Sequence, residues 1–200
     1  MADMASVVDL LLAGEIERPN MPDSRKITRD LKIRVKNKLK VATAADLIDE
    51  LPNHGETIHA VSDGKFDYWN MVPVTIDLLG GHIGELWGST WTMNRNNVSE
   101  MMELFDSQKV DSIAIITGTY FKRRESAVYA MILSGLVARK QKFVAFENHT
   151  KILLMENGVD YITIEGSANF TANPRFEQFT MSNDRTLYEF HREWMSGVFK

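Results

Sequence analysis

The feature that most constrains the fold is residues 149–177, where two short strand-like segments are joined by a tight turn. The first segment, residues 152–155, is the unbroken apolar run Ile-Leu-Leu-Met, which is typical of a strand buried on both faces of a sheet. Asn157-Gly158 follows, and this dipeptide is the strongest short signal for a hairpin turn. Residues 160–165 are therefore predicted to fold back antiparallel to the first segment.

Polar residues flank this predicted hairpin on both sides. His149 and Lys151 precede the first segment, and Ser167 and Asn169 follow the second. Because side chains alternate along a strand, His149 and Lys151 are predicted to point to the same face. The antiparallel pairing would bring Ser167 and Asn169 beside them. A nucleophile or base, a fixed cation and two small polar groups would then meet at one place, which indicates catalysis and not core packing.

This pattern resembles the HKD signature of the phospholipase D superfamily, H-x-K-x4-D followed by G-S-x-N. The residues at the signature positions are His149, Lys151, Gly166, Ser167 and Asn169, and Phe170-Thr171 matches a frequent continuation. Glu156 stands in the place of the signature Asp, and the spacer before Gly166 is a few residues longer than in the family. The extra residues fall in the turn, where insertions are tolerated. Glu177 matches a glutamate that hydrogen-bonds the histidine in family nucleases.

The resemblance implies a metal-independent phosphodiesterase that needs no cofactor. Imidazole is a competent nucleophile when neutral and a competent acid when protonated. By resemblance, His149 attacks phosphorus and forms a phosphohistidine, while Lys151 and Asn169 hold the non-bridging oxygens. Ser167 supports that network, and Glu177 bonds the far imidazole nitrogen and sets its tautomer.

The resemblance also implies a homodimer. The chain has one HKD-like motif and no internal repeat. Family members with a single motif build their active site from two subunits across a two-fold axis. His149 of the second subunit would then protonate the leaving oxygen, and Lys151 and Asn169 would come from both subunits.

Strands alternate with helices before the hairpin, which predicts parallel strands covered on both faces. Strands are expected at residues 56–62, 82–92, 110–117 and 143–146, and helices at 66–79, 98–106, 120–139 and 187–199. Pro73 is expected to kink or split the helix at 66–79. With the hairpin, these elements predict an α/β fold whose mixed, largely parallel sheet is flanked by helices on both faces, which is similar to the phospholipase D fold.

The chain is expected to divide into an N-terminal extension, residues 1–55, packed on the core, and a catalytic domain, residues 56–200. The extension is predicted to contain helices at residues 6–13 and 44–51, the second capped by Thr43. Between them, residues 25–40 hold eight Lys or Arg and one acid. Lys32, Arg34 and Lys36 alternate there with apolar residues. This run is interpreted either as a half-buried edge strand or as an arm that binds phosphates.

Lys122, Arg123 and Arg124 form a second cluster of cations, predicted at the start of the helix at 120–139. Cations are unfavourable at a helix N-terminus, so the cluster is interpreted either as a phosphate contact or as a solvated face. Trp87 and Trp91 both fall in the predicted strand at 82–92 and are expected in the core rather than as platforms on which bases stack.

Composition excludes several classes of protein. The 200 residues include no Cys, which excludes disulfides and thiolate metal sites and fits a reducing compartment. The other histidines, His54, His59, His82 and His191, lack metal-ligand spacing, so no metal site is expected. The net charge of −4 gives no global sign of nucleic-acid binding. The N-terminus does not resemble a signal peptide and no apolar run has the length of a membrane span, which predicts a cytoplasmic protein with no membrane contact.

The leading hypothesis is therefore a nuclease that acts on DNA or RNA. A phospholipid or other small-diester hydrolase is a second hypothesis. A third is a non-catalytic nucleic-acid-binding or assembly protein that keeps the fold, which Glu156 and the longer spacer favour.

Overall fold

A computed structural model describes residues 32–36, 44–64, 66–172 and 174–200. The strands are β1 (Lys32–Lys36), β2 (Glu56–Ser62), β3 (Ile83–Ser89), β4 (Val110–Gly118), β5 (Lys142–Phe146), β6 (Ile152–Glu156), β7 (Tyr161–Gly166) and β8 (Glu177–Asn183). The helices are α1 (Ala44–Leu47), α2 (Met71–Leu78), α3 (Arg95–Asp106), α4 (Thr119–Arg124), α5 (Ser126–Ala138) and α6 (Arg185–Gly197), with a 3₁₀ turn at Tyr68–Asn70. The predicted helix at 6–13 and the Thr43 cap lie outside the described residues.

Within the described ranges the eight strands form one sheet, in the order β1-β2-β8-β7-β6-β3-β4-β5. The pairs β1–β2, β3–β4 and β4–β5 are parallel, and the other four described pairs are antiparallel. The prediction of a mixed α/β sheet is confirmed, but the parallel share is smaller than expected. The reason is β8, which the sequence analysis did not predict and which lies antiparallel between β2 and β7.

The predicted hairpin is present as β6 and β7. These strands pair antiparallel, with Ile152 opposite Glu165 and Glu156 opposite Tyr161. In the turn, the Asn157 side-chain oxygen accepts the backbone N–H groups of Val159 and Asp160 at 3.0 and 2.8 Å. This side-chain turn explains why an asparagine stands there.

The sheet is buried on both faces, as the apolar run in β6 predicts. Leu153 and Met155 pack into the larger core, against helices α1 to α5. Ile152 and Leu154 point the other way and pack with Tyr188 of α6. Burial of each such side chain contributes about 1.5–3 kcal/mol relative to exposure. Helices on both faces are thus confirmed.

The helix expected at 44–51 ends at Leu47, and the helices expected at 66–79 and 120–139 also differ from the prediction. Helix α2 begins at Met71, so Pro73 lies in its first turn, where the amide N–H has no helical partner to lose. The helix expected at 120–139 is two helices, α4 and α5, which meet at Glu125 (φ −117°, ψ 48°).

The cation cluster in α4 therefore lies at the opposite end of a helix from the one predicted. Lys122, Arg123 and Arg124 fill the last turn of α4, where the helix dipole favours positive charge. Their helical position needs no compensating phosphate, and all three are exposed.

Candidate active site

The predicted catalytic residues lie at one edge of the sheet. This edge holds the carboxyl ends of β3, β4, β5 and β7 and the amino ends of β6 and β8. His149 and Lys151 lie in the β5–β6 connection, Ser167 and Asn169 follow β7, and Glu177 is the first residue of β8. In open α/β sheets, ligands bind beyond the carboxyl ends of the strands.

His149 and Lys151 are in direct contact. The Lys151 ammonium donates to the His149 carbonyl oxygen at 2.6 Å and lies 3.0 Å from the Nδ1 atom of the imidazole ring and 3.4 Å from its Nε2 atom. His149 is exposed, whereas Lys151 is only 8 % exposed. Both residues precede β6, which begins at Ile152, so they lie in the connection before the strand and not in the strand itself. A phosphate that enters here would touch both groups.

Burial acts against the charge on Lys151. It lowers the pKa of the ammonium from the usual 10.5, and the nearby negative charge of Glu177 opposes that shift. A buried cation that is not fully compensated attracts an anion strongly, because little water screens it.

The loop after β7 lies beside this pair. The Gly166 N–H donates to the Lys151 carbonyl at 3.1 Å, which joins the two halves of the motif through the backbone. The Ser167 hydroxyl donates to the Glu177 carboxylate and accepts the Gln178 N–H at 3.1 Å. The structure thus connects Glu177 to Ser167 and, through its charge, to Lys151. Its predicted bond to the imidazole of His149 stays a prediction.

Asn169 presents an unpaired group to its surroundings. Its side-chain oxygen is buried and has no hydrogen-bond partner. Such a group costs free energy until it gains a donor. The amide nitrogen at the other end of the same side chain is the donor that a phosphate oxygen needs.

Phe170 anchors the site loop in the core. Its ring is fully buried and packs against Tyr68 and Trp69 at 6.1 and 5.4 Å between centroids. Its backbone N–H donates to the Thr90 hydroxyl at 3.1 Å. Gly88 makes room, because a Cβ atom there would lie 2.7 Å from Ile115 and 3.0 Å from the Phe170 ring. This explains why the motif continues with an aromatic residue.

Residues around Thr90 also hold the His149 loop, and the sequence analysis did not identify them. The Asn148 side chain accepts the Thr150 N–H at 3.0 Å and donates to the Thr90 carbonyl at 3.1 Å. The hydroxyls of Thr150 and Ser89 lie 2.6 Å apart. The short polar side chains on either side of His149 were the only sequence signal for this role.

Trp91 also lies at the site, although the sequence pattern did not predict it there. Trp87 is buried, as expected, but Trp91 lies beyond the end of β3 and is only partly buried. Its ring stands 6.2 Å from the His149 ring and stacks on Tyr120 at 5.2 Å. The expectation that Trp91 is a core residue of a strand is therefore wrong, because β3 ends at Ser89.

The departures from the HKD signature lie away from these groups. Glu156 is at the far end of β6, four residues from Ile152, or about 13 Å along the strand. Its carboxylate accepts the Gly158 N–H at 2.7 Å and so stabilises the hairpin turn. The extra residues of the spacer are in that same turn.

The other predicted substrate contacts are farther away. Lys122, Arg123 and Arg124 lie in α4, where Phe121 separates them from Tyr120. Lys32, Arg34 and Lys36 lie in β1, at the edge of the sheet and four strand positions from β6, about 19 Å. Of these three residues only the backbone is described, so their contact with phosphates stays a prediction.

In the described part of the chain, no group of three or more His, Cys, Asp or Glu side chains is placed to hold a metal ion. None of the described helices has the length and apolar character needed to cross a membrane.

No protein-family model and no curated protein sequence matches this chain. Solved structures match it in fold. One is Nuc from Salmonella typhimurium, a phospholipase D family member, with 16% identity and a TM-score of 0.50 over 72% of this chain and 95% of that chain. Polyphosphate kinase from Porphyromonas gingivalis has 13% identity and a TM-score of 0.51 over 70% of this chain and 25% of that chain. The archaeal chromatin protein TrmBL2 has 13% identity and a TM-score of 0.49 over 70% and 52%. The chain has a phospholipase D-like fold.

Proposed function

We propose, from the phospholipase D-like fold and the contact between His149 and Lys151, that this protein is a metal-independent phosphodiesterase that cleaves nucleic acid. The observation that carries the proposal is an exposed imidazole beside a buried ammonium, at the sheet edge where ligands bind. The pair supplies a nucleophile and a fixed positive charge, which are the two things that attack on an anionic diester requires.

The chemistry proceeds in two displacements. A lone pair on the His149 ring attacks phosphorus, and the bond from phosphorus to the leaving oxygen breaks. A protonated His149 of the partner subunit gives its proton to that oxygen. The now neutral partner imidazole takes a proton from water, the water oxygen attacks phosphorus, and the phosphorus–nitrogen bond breaks. His149 is then regenerated, and the proton has returned to the partner.

Lys151 and Asn169 stabilise the charge that develops on the phosphoryl oxygens. Lys151 meets them with an ammonium that is already in place and poorly hydrated, so little reorganisation is needed. Asn169 adds its amide donor. Ser167 and Glu177 hold the loop that carries Asn169, and Glu177 also supports the positive charge of Lys151.

The mechanism needs two histidines and the chain supplies one motif, so we infer that two copies share the site. Phe176 supports this inference, because it is 73 % exposed and directly precedes Glu177 at the rim of the site. An exposed aromatic ring is unfavourable in water. A second copy placed across this edge would cover it.

Nucleic acid is the substrate that the surroundings favour. The cations of α4 are in the same short helix as Tyr120, and the β1 run adds further positive charge. The non-catalytic alternative depended on Glu156 and the longer spacer, and both are at the far end of the hairpin. The proposed cytoplasmic location follows from sequence composition alone.

The substitution His149→Asn tests the proposal. It should abolish cleavage of plasmid DNA and of RNA in EDTA, because loss of a general acid alone costs about 10²–10⁴-fold and the nucleophile is lost as well. His82→Asn is the matched control, since His82 is exposed and pairs with Asp111 at 2.9 Å outside the site. If EDTA stops the wild-type enzyme and magnesium restores it, the histidine mechanism is wrong.

Mixing wild-type and His149→Asn protein tests the shared site. Heterodimers keep one histidine and should be nearly inactive, so activity should fall faster than the wild-type fraction once subunit exchange is confirmed. A linear fall would mean that each subunit works alone. Light scattering that shows an active monomer would refute the dimer directly.

A further inference from the structure

Trp91 and Tyr120 form a stacked pair beside the proposed nucleophile. Their rings are 5.2 Å apart between centroids and parallel within 3°. Trp91 lies next to His149, with ring centroids 6.2 Å apart at 55°. Tyr120 covers one face of Trp91 and is itself 48 % exposed. Part of Tyr120 is therefore open to solvent, one ring away from His149.

The stack is built into the fold and is not a chance surface contact. Thr90 fixes the chain at Trp91, since its hydroxyl donates to the Thr92 carbonyl at 3.0 Å and its N–H to the Ile116 carbonyl at 3.1 Å. Gly118 leaves the space for the indole, because a Cβ atom there would lie 2.6 Å from the Trp91 ring. A residue with a side chain at position 118 would displace the ring.

The helix that carries Tyr120 also carries three cations. Lys122, Arg123 and Arg124 follow Tyr120 in the same short helix and are exposed. Aromatic faces combined with nearby cations are typical of surfaces that bind single strands, where rings stack on bases and cations meet phosphates. Trp91 stacks on one face of the Tyr120 ring, which restricts the positions that the ring can take.

We propose that the outer face of Tyr120, backed by Trp91, stacks an unpaired nucleobase next to the scissile phosphate, so that the site prefers single-stranded nucleic acid. The proposal rests on the proposed function for the position of the phosphate at His149. A base in a duplex has both faces covered by its neighbours, so it must leave the stack before it can meet Tyr120. A single strand offers the same base at a lower cost.

Binding of labelled oligonucleotides to Tyr120→Leu and Tyr120→Phe, measured by fluorescence anisotropy, tests the proposal. The ligands are single-stranded DNA, single-stranded RNA of the same sequence, the DNA duplex, and a single strand of abasic residues. Tyr120→Leu should weaken binding of the base-containing single strands about tenfold. It should leave the abasic strand and the duplex unchanged. Tyr120→Phe keeps the ring and should bind as the wild type does.

A larger loss for DNA than for RNA, or the reverse, identifies which nucleic acid the stack serves. Equal loss for the abasic strand, or no loss for any ligand, overturns the stacking proposal. Cleavage of the same oligonucleotides by the wild type is measured separately. Binding that depends on Tyr120 without any cleavage refutes the phosphodiesterase and supports the stacking site. Cleavage of the abasic and the base-containing single strands at the same rate would support the phosphodiesterase and refute the stacking site.

Discussion

Charged groups at the two ends of β3 are held in opposite ways. Near its amino end, Glu85 accepts two hydrogen bonds from Arg192 of α6, one of them at 2.7 Å, and a third from the Trp87 ring nitrogen at 3.0 Å. Beyond its carboxyl end, Lys151 is more deeply buried and shares its space with the imidazole of His149. The first group forms hydrogen bonds to an opposite charge, whereas the second forms its hydrogen bonds to neutral groups of His149, with the charge of Glu177 nearby.

The pKa values of Glu85 and Lys151 are shifted in ways that reflect their different surroundings. The hydrogen bond from Arg192 is the main cause that lowers the pKa of Glu85, and the pKa of Arg192 is raised in return, so the charged forms of both are stabilised. At Lys151, burial lowers the pKa, so the charged form is disfavoured. The pair at Glu85 favours the charged forms of both partners, whereas burial disfavours the charged form of Lys151, which agrees with the anion site proposed above. Perturbed groups of this kind are concentrated at functional sites.

Among substitutions of the charged residues at the two ends of β3, Lys151→Met should give the largest effect, and it should affect activity alone. Methionine keeps the apolar length of the side chain but removes the charge that meets the phosphoryl oxygens. Loss of one such donor costs about 10²–10³-fold in turnover. The variant should unfold at the same urea concentration as the wild type or a higher one at pH 7. Lys109→Met, at an exposed lysine 3.5 Å from Asp77, should leave both quantities unchanged.

The pH dependence of stability sharpens this test. Because the pKa of Lys151 is lower in the folded state, the unfolded chain binds more protons between that value and 10.5. The free energy of unfolding of the wild type should therefore rise with pH through this interval, relative to that of Lys151→Met. Above pH 10.5 the two proteins should have the same free energy of unfolding. A variant that is less stable than the wild type by more than about 1 kcal/mol at pH 7 would show that the lysine has a structural role.

Arg192→Met should have the opposite effect to Lys151→Met. It should lower the free energy of unfolding and leave turnover normal. The pair with Glu85 is partly exposed, so its loss should cost only about 1 kcal/mol. Arg185→Met is the matched control on the same helix, because Arg185 also pairs with a glutamate, at 2.7 Å, but on the surface. Its loss should cost roughly 0.3–0.5 kcal/mol. Urea unfolding of both variants measures the two values.

Low pH should remove the difference in the free energy of unfolding between the wild type and Arg192→Met. The folded-state pKa of Glu85 is below its ordinary value of 4.5, so its contribution is complete above that pH and is lost as pH falls through the folded pKa. A difference that persists unchanged at lower pH would assign the effect of Arg192 to its packing over the Trp87 ring, 5.6 Å away.

The hairpin and its flanking residues could be predicted because local signals agree there. An apolar run, an Asn-Gly turn and paired polar residues all specify one arrangement of β6 and β7. Strand β8 was missed because it has only two apolar residues, Phe179 and Met181, and its position is fixed by neighbours distant in sequence, such as Ile58 opposite Met181. Non-local pairing of this kind leaves little trace in a short window.

The positions of Trp91 and Tyr120 could not be predicted for a related reason. Trp91 is only two residues beyond Ser89 and no proline lies between them, so the pattern does not show that the strand ends at Ser89. Its contact with Tyr120 depends on the parallel pairing of β3 and β4 and on the absence of a side chain at Gly118. The break at Glu125 likewise depends on packing, since the residues on both sides favour a helix.

The smallest effect is expected for Glu156→Gln, in the residue that replaces the signature Asp. Its carboxylate reaches the Gly158 N–H at the far end of β6, and a glutamine oxygen accepts the same bond, so activity should stay within about twofold. Glu177→Gln makes the same chemical change at the other end of the hairpin. Because the charge of Glu177 raises the pKa of Lys151, its removal should lower that pKa further. Activity should then fall about fivefold, and the alkaline limb of the pH–rate profile should move to lower pH. If Glu156→Gln moves that limb as far as Glu177→Gln does, the two ends of the sheet are coupled, and the separation of structural from catalytic charge is wrong.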